Sequence, residues 1–148
     1  MEKLTKRGKF LALYQILGGT AGLWIIGASV AQQIDRHPAT LLLLALPLLS
    51  LAAGIALAMG KIVGYGLSVL TQLLQLPFLK LQGFYFFGFL IGSIVVGKDA
   101  KGDFILNWFF GAGADFLTGD IPFQMAGVNL IAVVMLFFLP KVFVKPLE

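Results

Sequence analysis

The chain has 148 residues, of which 59% are hydrophobic and only 12% charged, with a formal net charge of +4 and a mean hydropathy of +0.94. Water-soluble domains run near ~45–50% apolar and ~25% charged, and a chain of this size has too little interior to hide the excess, so the composition points to an integral membrane protein. The lack of cysteine excludes disulfide frameworks and thiol chemistry, and the single His37 excludes a multi-histidine metal site.

Uncharged runs between ionisable residues set the expected layout. Lys9 and Asp35 bracket 25 uncharged residues, His37 and Lys61 23, Lys61 and Lys80 18, Lys80 and Lys98 17, and Asp120 and Lys141 20. A crossing helix needs about 20 apolar residues. The expected fold is therefore an all-α integral membrane domain over 1–148, a four-transmembrane-helix bundle with spans at about 10–30, 41–60, 77–97 and 122–139. The first run follows a basic segment and ends near Ser29-Val30-Ala31, a cleavage-like pattern. It is nevertheless longer than the ~7–15 residues of a signal core and reads as span one. Its start, Phe10-Leu-Ala-Leu-Tyr-Gln-Ile-Leu-Gly-Gly, resembles that of many small bacterial membrane proteins.

Two segments do not qualify as spans. Gly60, Gly64 and Gly66 interrupt the start of the third run and Pro77 its end. Between them Ser68, Thr71, Gln72 and Gln75 recur at i, i+3, i+4 and i+7, a polar stripe on a leucine-rich helix. Residues 65–76 thus read as an interfacial amphipathic helix or the lead-in to span three. Residues 104–117 are apolar but short and carry Gly111 and Gly113, which suggests a re-entrant or interfacial outer segment. Four spans place both termini on one side. Eight of the 11 basic residues then fall on that side, so the expected location is a bacterial inner membrane, multi-pass, with both termini cytoplasmic.

Gly18-x-x-x-Gly22 and Gly88-x-x-x-Gly92 are the spacings that let helix backbones approach closely, within one bundle or at a subunit interface. Pro47 reads as a kink in span two, static or hinged. The polar residues within or beside the spans are uncharged. Asn129, Gln124, Ser93, Gln72 and Gln75 are pore or path candidates, with an interhelical hydrogen bond as the plainer role for Asn129. Asp115, Asp120, Asp99 and Asp103 would form an acidic outer ring in an oligomer, although Asp99-Ala-Lys-Gly-Asp103 by itself reads as a solvated turn. Lys3, Lys6, Arg7 and Lys9 form an inner basic cluster suited to anionic lipid, or to a cytoplasmic protein or anionic ligand. No metal, cofactor or nucleic-acid motif stands out.

No ionisable side chain lies at the centre of an expected span, which argues against ion-coupled transport. The expected function is a passive ion channel or pore formed by a homo-oligomer, with an accessory membrane subunit docking a partner as the alternative and no enzymatic role. A lipid-handling enzyme or carrier that uses the Asp-bearing outer segment is a third reading. In size and layout the chain resembles the short multi-span effectors of bacterial anti-phage systems, a resemblance that implies a place in a defence system.

Overall fold

The computed structural model describes residues 4–32, 41, 43–118 and 122–142. Helix α1 (Lys6–Ala31) is followed by α2 (Ala45–Ala58), α3 (Ile62–Gln75), strands β1 (Pro77–Leu81), β2 (Phe84–Phe89), β3 (Gly92–Asp99), β4 (Phe104–Phe110), β5 (Gly113–Thr118) and β6 (Met125–Asn129), then α4 (Leu130–Phe138) and a short 3-10 turn (Leu139–Lys141). The fold is mixed α/β with a six-stranded antiparallel sheet, not a four-transmembrane-helix bundle.

The correction is specific to each expected span. Where span one was expected lies the 26-residue α1, by length and composition the one helix among the described residues long and apolar enough to cross a membrane. Helix α2 has 14 residues and α4 has 9. At 1.5 Å per residue they reach about 21 and 14 Å, short of the ~30 Å hydrocarbon core. Expected span three, 77–97, is instead β1, β2 and most of β3, and the re-entrant segment 104–117 is β4 and β5. With one candidate crossing, the multi-pass location with both termini cytoplasmic loses its basis. So does the channel, which was to be a homo-oligomer of four-span subunits.

The helices begin and stop for local reasons. Thr5 caps α1, its hydroxyl oxygen accepting from Gly8 N–H at 3.1 Å. Helix α2 ends where Gly60 takes φ 68°, and the Gly60 and Lys61 amides donate to the Leu57 and Ala56 carbonyls at 2.8 and 3.0 Å. This is the Schellman arrangement, which only a residue tolerant of positive φ completes at low cost. Antiparallel helices α1 and α2 touch closely: a Cβ at Gly19 would lie 2.6 Å from the Leu51 nitrogen, and one at Gly54 2.8 Å from the Ala12 carbonyl oxygen.

The strand order is β4-β3-β6-β1-β2-β5, yet the two edge strands are joined by only Gly111 and Ala112. In a flat sheet they would stand about 24 Å apart. The linking residues reach at most about 11 Å. The sheet must therefore roll until its edges meet at that end. The rings confirm it: Phe78 on β1 stacks on Phe109 of β4 at 5.4 Å between centroids, and Phe89 on β2 lies 5.7 Å from Phe109. Phe78, Val95 and Met125 fill the rolled interior, with Phe87 and Ile105 packed against them. A second core joins α1 to the later elements through Leu11, Leu57, Met135 and Leu139. A third gathers Ile26, Val30 and Leu46 around Leu90.

Candidate functional site

Helices and rolled sheet meet at Leu90 and Ile91, the two-residue link from β2 to β3. Ile91 has φ 70°. For a β-branched residue that is a true outlier, worth on the order of 1–3 kcal/mol, and it persists only where its surroundings dictate it. They do so here. Gln75 Oε1 on α3 accepts from the Leu90 amide at 2.9 Å, and the Tyr14 hydroxyl on α1 donates to the Leu90 carbonyl at 3.0 Å. The Gly111 amide, in the β4–β5 link, donates to the Ile91 carbonyl at 3.1 Å. Two helices and the far edge of the sheet thus hold one strained link.

Beside this latch lies a groove of about 550 Å³, walled by Tyr14 of α1, Ile91, Ser93 and Ile94 of the link and β3, the Trp108–Phe110 end of β4, and Ile131 of α4. Among the described residues, none of those that line it is charged. Ser93 is buried and its hydroxyl has no hydrogen-bond partner. Along β4 an exposed apolar stripe runs up to the groove: Phe104, Leu106, Trp108 and Phe110 are 73%, 67%, 87% and 99% exposed.

The polar stripe of α3 lies on the opposite side from the one an interfacial helix would need. Ser68, Thr71, Gln72 and Gln75 are at most 1% exposed, whereas Ile62, Val63, Leu70 and Leu73 are 67%, 56%, 46% and 48% exposed. Ser68 Oγ lies 2.8 Å from Gln15 Oε1 and 2.6 Å from the Gly64 carbonyl, and Ser50 donates to the Gln15 carbonyl at 3.0 Å. Gln15 is fully buried. Both amide atoms of Gln72 and the Gln15 Nε2 remain unpartnered.

The residues singled out from sequence fall in different places. Gln72 and Gln75 share the buried stripe, and Ser93 lines the groove. Asn129 ends β6 and caps α4, its side chain accepting from the Ile131 amide at 3.0 Å. Gln124 is exposed ahead of β6, with its backbone N–H donating to the Lys80 carbonyl at 2.8 Å. Asp99 and Asp103 share the β3–β4 turn, where Asp99 Oδ1 accepts from the Lys101 and Asp103 amides at 2.8 and 3.0 Å. Asp115 occupies the β5 position opposite Phe87, and Asp120 lies outside the described residues. Lys6, Arg7 and Lys9 stand exposed at the start of α1, with the Arg7 guanidinium 5.9 Å from the Phe138 ring centre; Lys3 lies outside the described residues. Gly18 and Gly22 lie on α1 against Leu90, whereas Gly88 is on β2 and Gly92 on β3, so the second glycine pair is not a helix-packing motif. Pro47 is the third residue of α2, where no intrahelical amide is required, so it sits in the first turn rather than mid-helix.

Tyr14, Ile91 and Ile131 escape sequence reasoning because nothing distinguishes them from neighbouring apolar residues until the sheet rolls. Among the described residues, no group of three or more His, Cys, Asp or Glu could hold a metal ion. No family model, no curated protein and no solved structure matches the chain.

Proposed function

We propose that this protein is a non-catalytic, lipid-contacting module whose apolar outer surfaces lie against a bilayer. The inverted helix α3 carries the reading: it buries a serine, a threonine and two glutamines and exposes leucine, isoleucine and valine. In water this distribution costs free energy on both sides, since exposed apolar area is unfavourable and an unpaired buried amide costs roughly 1–3 kcal/mol. Against hydrocarbon the preference reverses, and polar side chains belong inside. Helix α1 supports the same surroundings, exposing Phe10, Leu13, Leu17 and Trp24 at helical spacing along one side. Lys6, Arg7 and Lys9 sit at its N-terminal end, placed for anionic headgroups.

Flotation of the full chain with phospholipid vesicles on a density gradient tests the proposal. The chain is expected to rise with the vesicles, and to rise more completely when they contain anionic lipid. A chain that stays at the bottom as a monodisperse, detergent-free species would overturn it.

A further inference from the structure

We infer that the open edge of β4 pairs antiparallel with β4 of a second copy, so that two chains share one continuous sheet. The inference goes beyond the lipid-contacting reading and does not rest on it. Among the described residues β4 pairs with β3 alone. The Asp99 amide donates to the Asp103 carbonyl and the Gly111 amide to the Ile91 carbonyl, at the two ends of that ladder. Bonds in an antiparallel ladder alternate, so the odd-numbered residues of β4 bond to β3. The amides and carbonyls of Phe104, Leu106, Trp108 and Phe110 therefore point to the open edge. Six of the seven residues of β4 are exposed, on both faces of the strand. Beside water such an edge is a template for another strand, and in hydrocarbon an open edge is not tolerated.

The sequence of β4 favours a second copy as that strand. Natural edges discourage pairing with charge or proline. β5, the other edge, carries Asp115 in mid-strand, whereas Phe104–Phe110 holds no charge and no proline. Pairing β4 with β5 of another copy would leave an edge free at each end and grow without closing, but β4 on β4 closes as a two-fold dimer. The register that pairs the whole strand places Asn107 on the axis. Phe104 then lies opposite Phe110 of the second copy, Ile105 opposite Phe109, and Leu106 opposite Trp108. Every outward amide and carbonyl meets a partner, and the two Asn107 carboxamides can donate and accept with one another. Beyond the strand Asp103 falls opposite Gly111 and Lys101 opposite Gly113, so no like charges are opposed.

The chain has no cysteine, so one introduced thiol reports one contact. At the axis Asn107 faces its own copy in a pair without hydrogen bonds, with Cα atoms about 4.5 Å apart, within disulfide reach. Phe104 lies about 20 Å from its own copy. The full chain in mild detergent is expected to sediment as a dimer. Under mild oxidation Asn107→Cys should be trapped as a covalent dimer and Phe104→Cys should not, although both positions are exposed. Trp108→Pro removes an outward amide, leaves the bonds to β3 in place and should sediment as a monomer. Leu106→Lys, which keeps the backbone intact, should do the same and stands in where the proline variant fails to fold. An unaltered chain that sediments as a monomer overturns the inference. So does a dimer that survives Leu106→Lys, or one that crosslinks as readily at 104 as at 107.

Discussion

Ile91 is held in a conformation its side chain disfavours, so substitutions there should invert the usual order. Ile91→Ala keeps the left-handed strain and loses the side-chain packing. Ile91→Gly loses the same packing but releases strain of about 1–2 kcal/mol. The glycine variant is therefore expected to be the more stable of the two by on the order of 1 kcal/mol, as read by urea unfolding. In an ordinary strand or helix interior alanine would win by a similar margin. Nothing in the sequence announces this position. By contrast, the turn at Asp99–Asp103 is legible residue by residue, because an aspartate that accepts from amides two and four residues ahead is what that composition favours.

At the scale of elements, the buried stripe of α3 contains two glutamines that differ only in their partners. Gln75 supplies the acceptor for the Leu90 amide, whereas both amide atoms of Gln72 are unmet. Gln72→Leu is thus expected to be neutral or stabilising. Gln75→Leu should cost roughly 1–3 kcal/mol, since it orphans a buried amide at the latch. Paired thermal melts of the two variants check the contrast, and equal losses would refute it. The stripe itself was visible in the sequence at i, i+3, i+4 and i+7, but periodicity does not say which side faces out. Helix α1 was legible from its length, and the end of α2 from Gly60. The strands were not. Counting uncharged residues measures how far a chain runs without charge, not its period. In β3 Val95 faces the core, and Ile94 and Val96 on the other face are apolar too, so the alternation that marks a half-buried strand is missing. The signals that remained were the run of aromatic and β-branched residues and the Gln82-Gly83 turn, where Gly83 takes φ 75°. Of the candidate site, Ser93 stood out as a hydroxyl in an apolar run. Its neighbours come together only through a sheet whose far edges meet.

For the whole molecule, the charge distribution bears on how the apolar surfaces would be presented. Lys6, Arg7 and Lys9 are exposed at one end of α1, and Arg7 is steadied over Phe138 from the other end of the chain. Replacing all three by glutamine is expected to weaken binding to anionic vesicles by about 1 kcal/mol per charge, while binding to zwitterionic vesicles changes little. Raising ionic strength should reproduce the loss in the unaltered chain. A triple variant that binds both vesicle types as before would show that the basic end takes no part.

The place of β6 in the sheet sets an order of events for a chain that is still being made. β6 lies between β3 and β1, so without residues 125–129 the sheet separates into a β3-β4 pair and a β1-β2-β5 set. Five strands must therefore leave the ribosome and wait, their aromatic faces uncovered, for the strand that joins them. The segment that completes the sheet passes directly into α4 through Asn129, so closure of the sheet and docking of the last helix are one step. A nascent chain stopped short of that point has its first three helices and two separate pieces of sheet, but not the strand that joins them.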